Sequence, residues 1–468
     1  MRSSTKMAAA RFSTEDTGNN HDLVIPWSYA DPTLNDEVAT EQHKAHRGQQ
    51  LQKRFIRHYR HATTKWGAAL ESFSPLWFAV CISSGGIALV LNGPFPYRGH
   101  WLVVLATILY IMEIVLFFSF LAILLAKWIL YPHVALRRAL SDPDELGTYA
   151  ILPIALMTIG ALTITQVSEG PWGGHAFTLV GYVIWWIGVV WVFVTCVVIL
   201  TVLFYTGNQA DRDMTPVLFM APVGMATAAS EAGLITIYGF DMSSTLAVPQ
   251  IIVGYFASGV AMFMATLLYT VYFHRLLAAG WPAPPKRAGL FILIGPCGQL
   301  ATAFQLLGES ANTYMRFPQY KPSAIQPPEY GTFWTQQTAQ GVDGAGIFMA
   351  LLLLGFDYLW FCIAIIGVVD VFVKRQATYT LTWWAIVFPT VTLTTAWLEL
   401  ASSMDSPTFR ALVCALTIFL VIAFFVNLAF TLRGVANGSL IFGKSQLEIE
   451  EGMMKKVQDE MTSSKAEV

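Results

Sequence analysis

Ten runs of apolar residues divide the chain, at residues 74–93, 101–126, 148–167, 175–205, 215–239, 249–273, 288–308, 345–373, 381–402 and 408–432. Each is long enough, at about 20 residues, to cross a bilayer as a helix. The odd-numbered runs carry Pro75, Pro153, Pro216 with Pro222, Pro296 and Pro389, whereas the even ones have no interior proline and only Pro249 at a start. Pro75, Pro153, Pro222, Pro296 and Pro389 stand 78, 69, 74 and 93 residues apart, which reads as one helical hairpin repeated five times. A proline removes a backbone hydrogen bond and bends its helix. Lipid does not repair that defect, but neighbouring helices, hydroxyls or water do. The pattern predicts an all-α polytopic membrane protein of ten transmembrane helices, with five bent helices inside and five straighter ones outside.

The ninth run, Leu381 to Leu400, sharpens this reading. It holds Pro389, five threonines and Glu399, a composition unsuited to a helix facing only lipid, so it is expected to line an interior path. Hydroxyls, amides and small residues recur on the other odd runs: Ser83, Ser84, Gly85 and Gly86; Thr158, Thr163, Thr165 and Gln166; Thr227 and Ser230; Gln299, Thr302 and Gln305; then Thr390 and Thr394 on the ninth. Such a lining solvates an ion through dipoles without trapping it on a fixed opposite charge. No Lys or Arg lies deep in any run. Carboxylates do: Glu113, Glu231, Asp357 and Glu399, with Asp370 near an end, where it marks the interface. Each central one costs about 2.5–3.5 kcal/mol on insertion scales, so each is expected to be buried, paired or protonated. Glu231 and Glu399, on inner helices, are the candidates for proton coupling.

Composition agrees with the hydropathy, 55% of the 468 residues being hydrophobic and 12% charged. Of the 28 Lys and Arg, only Arg98, Arg316, Lys321 and Arg410 fall on one side of the ten runs, so the positive-inside rule places both termini in the cytoplasm. Residues 1–72 read as a soluble tail, disordered first and then basic from Glu41 to Trp66, with Leu51, Phe55, Ile56 and Tyr59 interleaved. That stretch suits a helix on an anionic leaflet or simply topogenic charge. Residues 434–468 form a second cytoplasmic tail after a transporter domain spanning 73–433. The segment Glu309 to Gly344 is the longest external connection and reads as an unspecialised insertion or, second, as a cap for a pore mouth. His43, His46, His58 and His61 have no accompanying Cys or carboxylate pattern, so no metal site is expected. Cys81, Cys196, Cys297, Cys362 and Cys414 all fall within the runs and read as packing residues. No nucleotide loop, zinc motif or nucleophile elbow is present; the chain reads as no enzyme, with no cofactor and no nucleic-acid partner.

Seven stretches in order, LGTYAILPIALMT from Leu146, YVIWWIGVVW from Tyr182, MTPVLFMAPVGMATAAS from Met214, YFHRLLAAGWPAPP from Tyr272, GPCGQLATAFQLLG from Gly295, WWAIVFP from Trp383 and GVANGSLIFG from Gly434, resemble the tellurite-resistance/dicarboxylate transporter family. That family has the voltage-dependent anion channel fold and includes plant slow anion channels, yeast malate permeases and fungal sulfite efflux pumps. The resemblance covers about Phe73 to Gly443 and looks nearest the sulfite pumps. It implies five hairpins around a central pore, a pore-occluding phenylalanine at Phe388, and assembly as a homo-trimer. Glu231, and Thr390 with Val391 after Pro389, depart from the sulfite-pump pattern. WFAVCISSGGIALVL from Trp77 and WLELASSMDSPTF from Trp397 look as much like the malate permeases. The implied activity is passage of a small anion across a membrane, expected to be the plasma membrane, with sulfite efflux first and C4-dicarboxylate transport second. A membrane sensor whose basic tail binds a partner is the reading from a different class.

Overall fold

The computed structural model describes residues 64–97, 99–168, 170, 173–206, 214–321 and 333–441. The N-terminal tail with its basic stretch and four histidines, and the chain beyond 441, lie outside the described residues. A short helix, Lys65–Ser72, capped by the Thr64 hydroxyl at Gly67 N (3.1 Å), precedes the membrane part.

Ten helical spans follow: Pro75–Asn92, His100–Leu130, Pro143–Ser168, His175–Thr206, Pro216–Tyr238, Ser244–Ala279, Pro284–Gln319, Gln336–Val373, Leu381–Ser403 and Pro407–Ala436. Their burial separates them as the prolines suggest. In the best apolar window of each odd span 67–94% of residues are buried, against 22–33% in the even spans. The odd spans pack in a closed ring, first on third, third on fifth, fifth on seventh, seventh on ninth and ninth on first, and each even span covers the odd span before it. Glycines set the closest approaches: a β-carbon on Gly233 would stand 2.6 Å from Leu306 C, and one on Gly298 would stand 2.9 Å from Leu393 N. Small residues of this kind bring helix backbones together where no water is available to drive them.

The prolines do not bend the inner helices midway. The first, fifth, seventh and ninth spans begin with 3₁₀ turns, Pro75–Trp77, Pro216–Phe219, Pro284–Ile294 and Leu381–Ile386, and then widen into α-helix. Pro222, Pro296 and Pro389 fall on the second or third residue of the α-helical part, and Pro153 on the third residue of Ile151–Leu162, after a short helix Pro143–Thr148. A first-turn residue has no intrahelical acceptor for its N–H, so proline costs little there. Pro75 belongs with Pro143, Pro216 and Pro284, which open their segments. Pro249 is not at a start: its helix begins at Ser244, so it lies inside. The third span ends in a π-helical turn, Thr163–Ser168.

The connection after the seventh span is shorter than the hydropathy suggests, because helix continues to Asn312 and resumes as Arg316–Gln319, with the eighth span starting at Gln336. Of the cysteines, Cys81, Cys196 and Cys297 are buried packing residues, Cys414 is half-buried, and Cys362 is exposed on the outer surface of its span.

Candidate anion pathway and its floor

A cavity of about 500 Å³ opens within the ring, at the end where the inner helices finish. Its wall includes Thr158 and Thr165 of the third span, Ser230 and Glu231 of the fifth, Gln299 and Thr302 of the seventh, and Phe388, Val391, Thr395 and Glu399 of the ninth. On the ninth span the lining runs from Phe388 to Glu399, about 16 Å of helix at 1.5 Å per residue. Phe388, 4% exposed, is the lining residue nearest the start of its helix and so forms the floor. Among the described residues it makes no ring contact. The aromatics below it are pinned in pairs: Trp384 with Phe424 at 5.6 Å, Phe219 with Tyr269 at 4.8 Å, and Phe291 with Phe361 at 6.0 Å.

Beneath Phe388 the opening segments of the five inner spans pack on one another in turn around the ring. The position a β-carbon would take on Gly289 of the seventh span lies 3.6 Å from Thr382 Cγ2 of the ninth and 3.8 Å from Pro216 Cγ of the fifth, ordinary contact distances. At this end Lys127, fully buried at the end of the second span, donates to Phe73 O (2.6 Å) and pairs with Glu145 (3.3 Å), while the Ser74 hydroxyl donates to the other Glu145 oxygen (2.8 Å). Lys127 is thus a buried cation that hydropathy places just beyond its span. Asp370 does more than mark an interface, for it pairs with Arg287 of the seventh span and with Lys374 (3.0 Å). Trp384 Nε1 donates to Thr431 Oγ1 at 2.9 Å.

The residues expected to line the path divide in two. Thr158, Ser230, Gln299, Thr302, Glu231, Glu399 and Phe388 do face the cavity. Ser83, Ser84, Gly85, Thr227, Thr390 and Thr394 do not line it. Ser84 donates to Cys81 O (2.8 Å), Thr390 to Ile386 O (2.6 Å) and Thr394 to Thr390 O (2.7 Å), so these hydroxyls satisfy their own helices. Ser83 is buried and its hydroxyl has no partner. Thr227 stands one step behind the wall, where it accepts from Gln299 Nε2 at 3.0 Å, while Ser230 donates to Gln299 Oε1 at 3.4 Å. Gln299 is therefore held firmly at its amide nitrogen, while the single Ser230 proton is shared with the nearer Thr227 O at 3.0 Å. Gly85 packs against the Glu113 side chain, and its neighbour Gly86 lines the wall, where a β-carbon would stand 2.8 Å from Val391 Cγ1.

Sequence reasoning did not single out Asn92 or His100. Asn92 Nδ2 donates to Thr165 O at 3.0 Å, binding the first span to the π-helical turn of the third; such turns free a carbonyl that a regular helix would use. His100 sits at the rim where the second span begins. An asparagine at the end of an inner run is the signal that could have found the first of these.

The acidic pair behaves as its burial requires. Glu231 is 3% exposed and neither carboxyl oxygen has a hydrogen-bond partner. The neighbouring Thr158 hydroxyl is close enough to interact with it but gives its proton to Ile154 O at 3.0 Å. Glu399 is half-buried farther up the same wall. Among the described residues, Glu231, Glu399, His100 and Tyr238 are the titratable groups lining the cavity, and no lysine or arginine lines it.

Five hairpins whose inner helices ring a dipole-lined, phenylalanine-floored cavity define a polytopic membrane protein built to pass a small solute. The voltage-dependent anion channel family matches residues 72–432, and the chain belongs to that family. It is 25% identical to the sulfite efflux pump of Arthroderma benhamiae over 344 residues, 74% of this chain and 86% of the relative. It is also 25% identical to a putative malic acid transport protein of Schizosaccharomyces pombe over 391 residues, 82% of this chain and 84% of the relative. An uncharacterized transporter of Methanocaldococcus jannaschii is 24% identical over 325 residues, 68% of this chain and 81% of the relative.

Proposed function

We propose that the cavity is the anion pathway, that Phe388 is its gate, and that the main substrate is sulfite, moved out of the cell. The observation that carries this reading is the buried, unstacked Phe388 ring between a dipole-lined cavity above and the packed opening segments, with their paired aromatics, below. An anion entering from either side is solvated by Thr158, Ser230, Gln299, Thr302 and Thr395 and crosses when Phe388 swings aside. Weak, distributed contacts of this sort favour passage over retention. The similarity to a sulfite efflux pump supports the substrate. The positive-inside bias supports cytoplasmic termini, and with outward movement it supports a place in the plasma membrane. The family's implied homo-trimer would bury part of the broad apolar outer faces of the even spans.

A second reading, C4-dicarboxylate transport coupled to protons, draws on Glu231 and Glu399. Two acids on the wall repel an anion unless they carry protons, and a proton taken up with the anion removes that barrier. The malic acid relative, which covers more of the chain, favours it too. Purified protein in liposomes separates the readings. Uptake and efflux of labelled sulfite, malate and chloride are compared with and without a pH gradient. Sulfite movement that exceeds malate movement supports the first reading. Malate movement that collapses without the gradient supports the second, and movement of chloride alone overturns both substrates while keeping the pathway.

A further inference from the structure

Two carboxamides line the cavity, Gln299 on the seventh span and Asn92 at the end of the first, and each spends only part of its donor capacity on the protein. An amide nitrogen carries two hydrogens. Gln299 Nε2 gives one to Thr227 Oγ1 at 3.0 Å, and Asn92 Nδ2 gives one to Thr165 O at 3.0 Å; among the described residues neither nitrogen has an acceptor for its second. Gln305, farther along the seventh span, is the contrast. It lies off the cavity and its nitrogen spends both hydrogens, on Ala301 O (3.0 Å) and Ala396 O (3.2 Å).

The hydroxyls of the same wall are differently placed. Those of Thr158, Ser230, Thr302 and Thr395 donate to carbonyls of their own helices, Ile154 O (3.0 Å), Thr227 O (3.0 Å), Gly298 O (3.1 Å) and Thr392 O (3.0 Å). Each must turn away from its carbonyl to meet a solute. The Thr165 hydroxyl has no partner but is itself buried. The acid on this wall does not claim the amide hydrogens either, since neither Glu231 oxygen accepts a hydrogen bond. Thr227 decides which end of Gln299 serves. Its own proton goes to Val223 O at 2.9 Å, so toward Gln299 it is an acceptor only and fixes the nitrogen, not the oxygen, on its side.

We propose that the spare N–H groups of Gln299, deep in the cavity, and of Asn92, at its mouth, are two standing hydrogen-bond donors for a small oxyanion such as sulfite or a carboxylate, and that Thr227 is the positioning residue that makes Gln299 a donor. The proposal rests on the cavity being the anion pathway. Gln299 is the fifth residue of its α-helix and Asn92 the last of its own, so the two stations stand at different depths along helices that run the same way. Neither amide carries a charge, so each holds the anion without trapping it, and two weak sites in succession favour passage.

Purified full-length protein tests this by two readings. The rise of its thermal midpoint with added sulfite, malate or chloride reports binding, and liposomes give the concentration of each that half-saturates flux. Gln299→Met should raise the sulfite or malate concentration needed for either reading about tenfold or more, the worth of one hydrogen bond to a charged group. Thr227→Val should do the same, and carries the test if Gln299→Met does not fold; Thr227→Ser, which keeps the hydroxyl, should restore the wild-type value. A purely structural Thr227 would instead lower the anion-free midpoint and leave the half-saturating concentration where it was. Asn92→Leu applies the same readings to the mouth station, and an unmoved value there would strike that station. Wild-type concentrations in folded Gln299→Met and Thr227→Val, or flux of chloride alone without binding of either oxyanion, would overturn the donor role and keep the pathway. Binding that depends on Gln299 without flux of any of the three anions would keep the site and refute the pathway, and neither binding nor flux in the wild type would overturn both.

Discussion

The beginning of the five-helix ring and the wall of its cavity treat buried polar groups in opposite ways. At the end where the inner helices begin, charges are matched. Lys127, Glu145 and Ser74 form a closed set, Arg287 and Lys374 share Asp370, and Trp384 is tied to Thr431. Midway along the ring, Glu231 on the cavity wall and Glu113 behind it are as deeply buried and their carboxyl oxygens accept no hydrogen bond, while beyond them Arg316 donates to Met242 O and Arg410 pairs with Asp405. Matched charges hold a structure in one arrangement, whereas unmatched ones leave a group free to exchange a proton or meet a solute. The matched end acts as the frame, and the unmatched wall belongs to the cavity proposed as the pathway.

Breaking the matched end should cost most. Lys127→Met leaves Glu145 buried without its cation, a loss of about 3–5 kcal/mol, read as a large drop in the thermal midpoint in detergent; an unchanged midpoint would place Lys127 outside the frame. Ser74→Ala removes one hydrogen bond to the same carboxylate and should cost about 1.5–3 kcal/mol by the same measurement. Glu231→Gln should behave differently, since no partner is lost and a charge-forming group is removed: stability is expected within about 0.5 kcal/mol of wild type or higher. A loss as large as that of Ser74→Ala would mean that Glu231 is structural and that the contrast between the ends is false.

Much of the fold is legible in the sequence because a proline in a membrane helix has few places to go. Its recurrence marks the inner helices even though the prolines open segments rather than bend them midway. The lining is harder to read. On an inner helix every side faces protein, so membership of an odd span does not say which threonine meets the cavity. Thr395 does and Thr394 does not, a difference of one 100° step that depends on how the ninth span is rotated in the ring. Gly85 and Gly86 divide in the same way, one against Glu113 and the other against Val391. Glu113 was read as a carboxylate to be buried, paired or protonated, but not as one turned to the ring, because it belongs to an outer span. Its spacing from Ala106, Tyr110 and Phe117, all on one face, was the available signal, but apolar residues on every side of that helix mask the stripe.

The most direct measurement is sulfite efflux from liposomes containing wild-type protein or Phe388→Ala, at equal protein and equal pH, with folding checked by size-exclusion. If the ring is the floor of the pathway, removing it should raise flux about tenfold or more, the equivalent of lowering the barrier by about 1.4 kcal/mol. Equal flux through a folded Phe388→Ala protein would contradict the account, because anions would then be crossing somewhere other than this cavity.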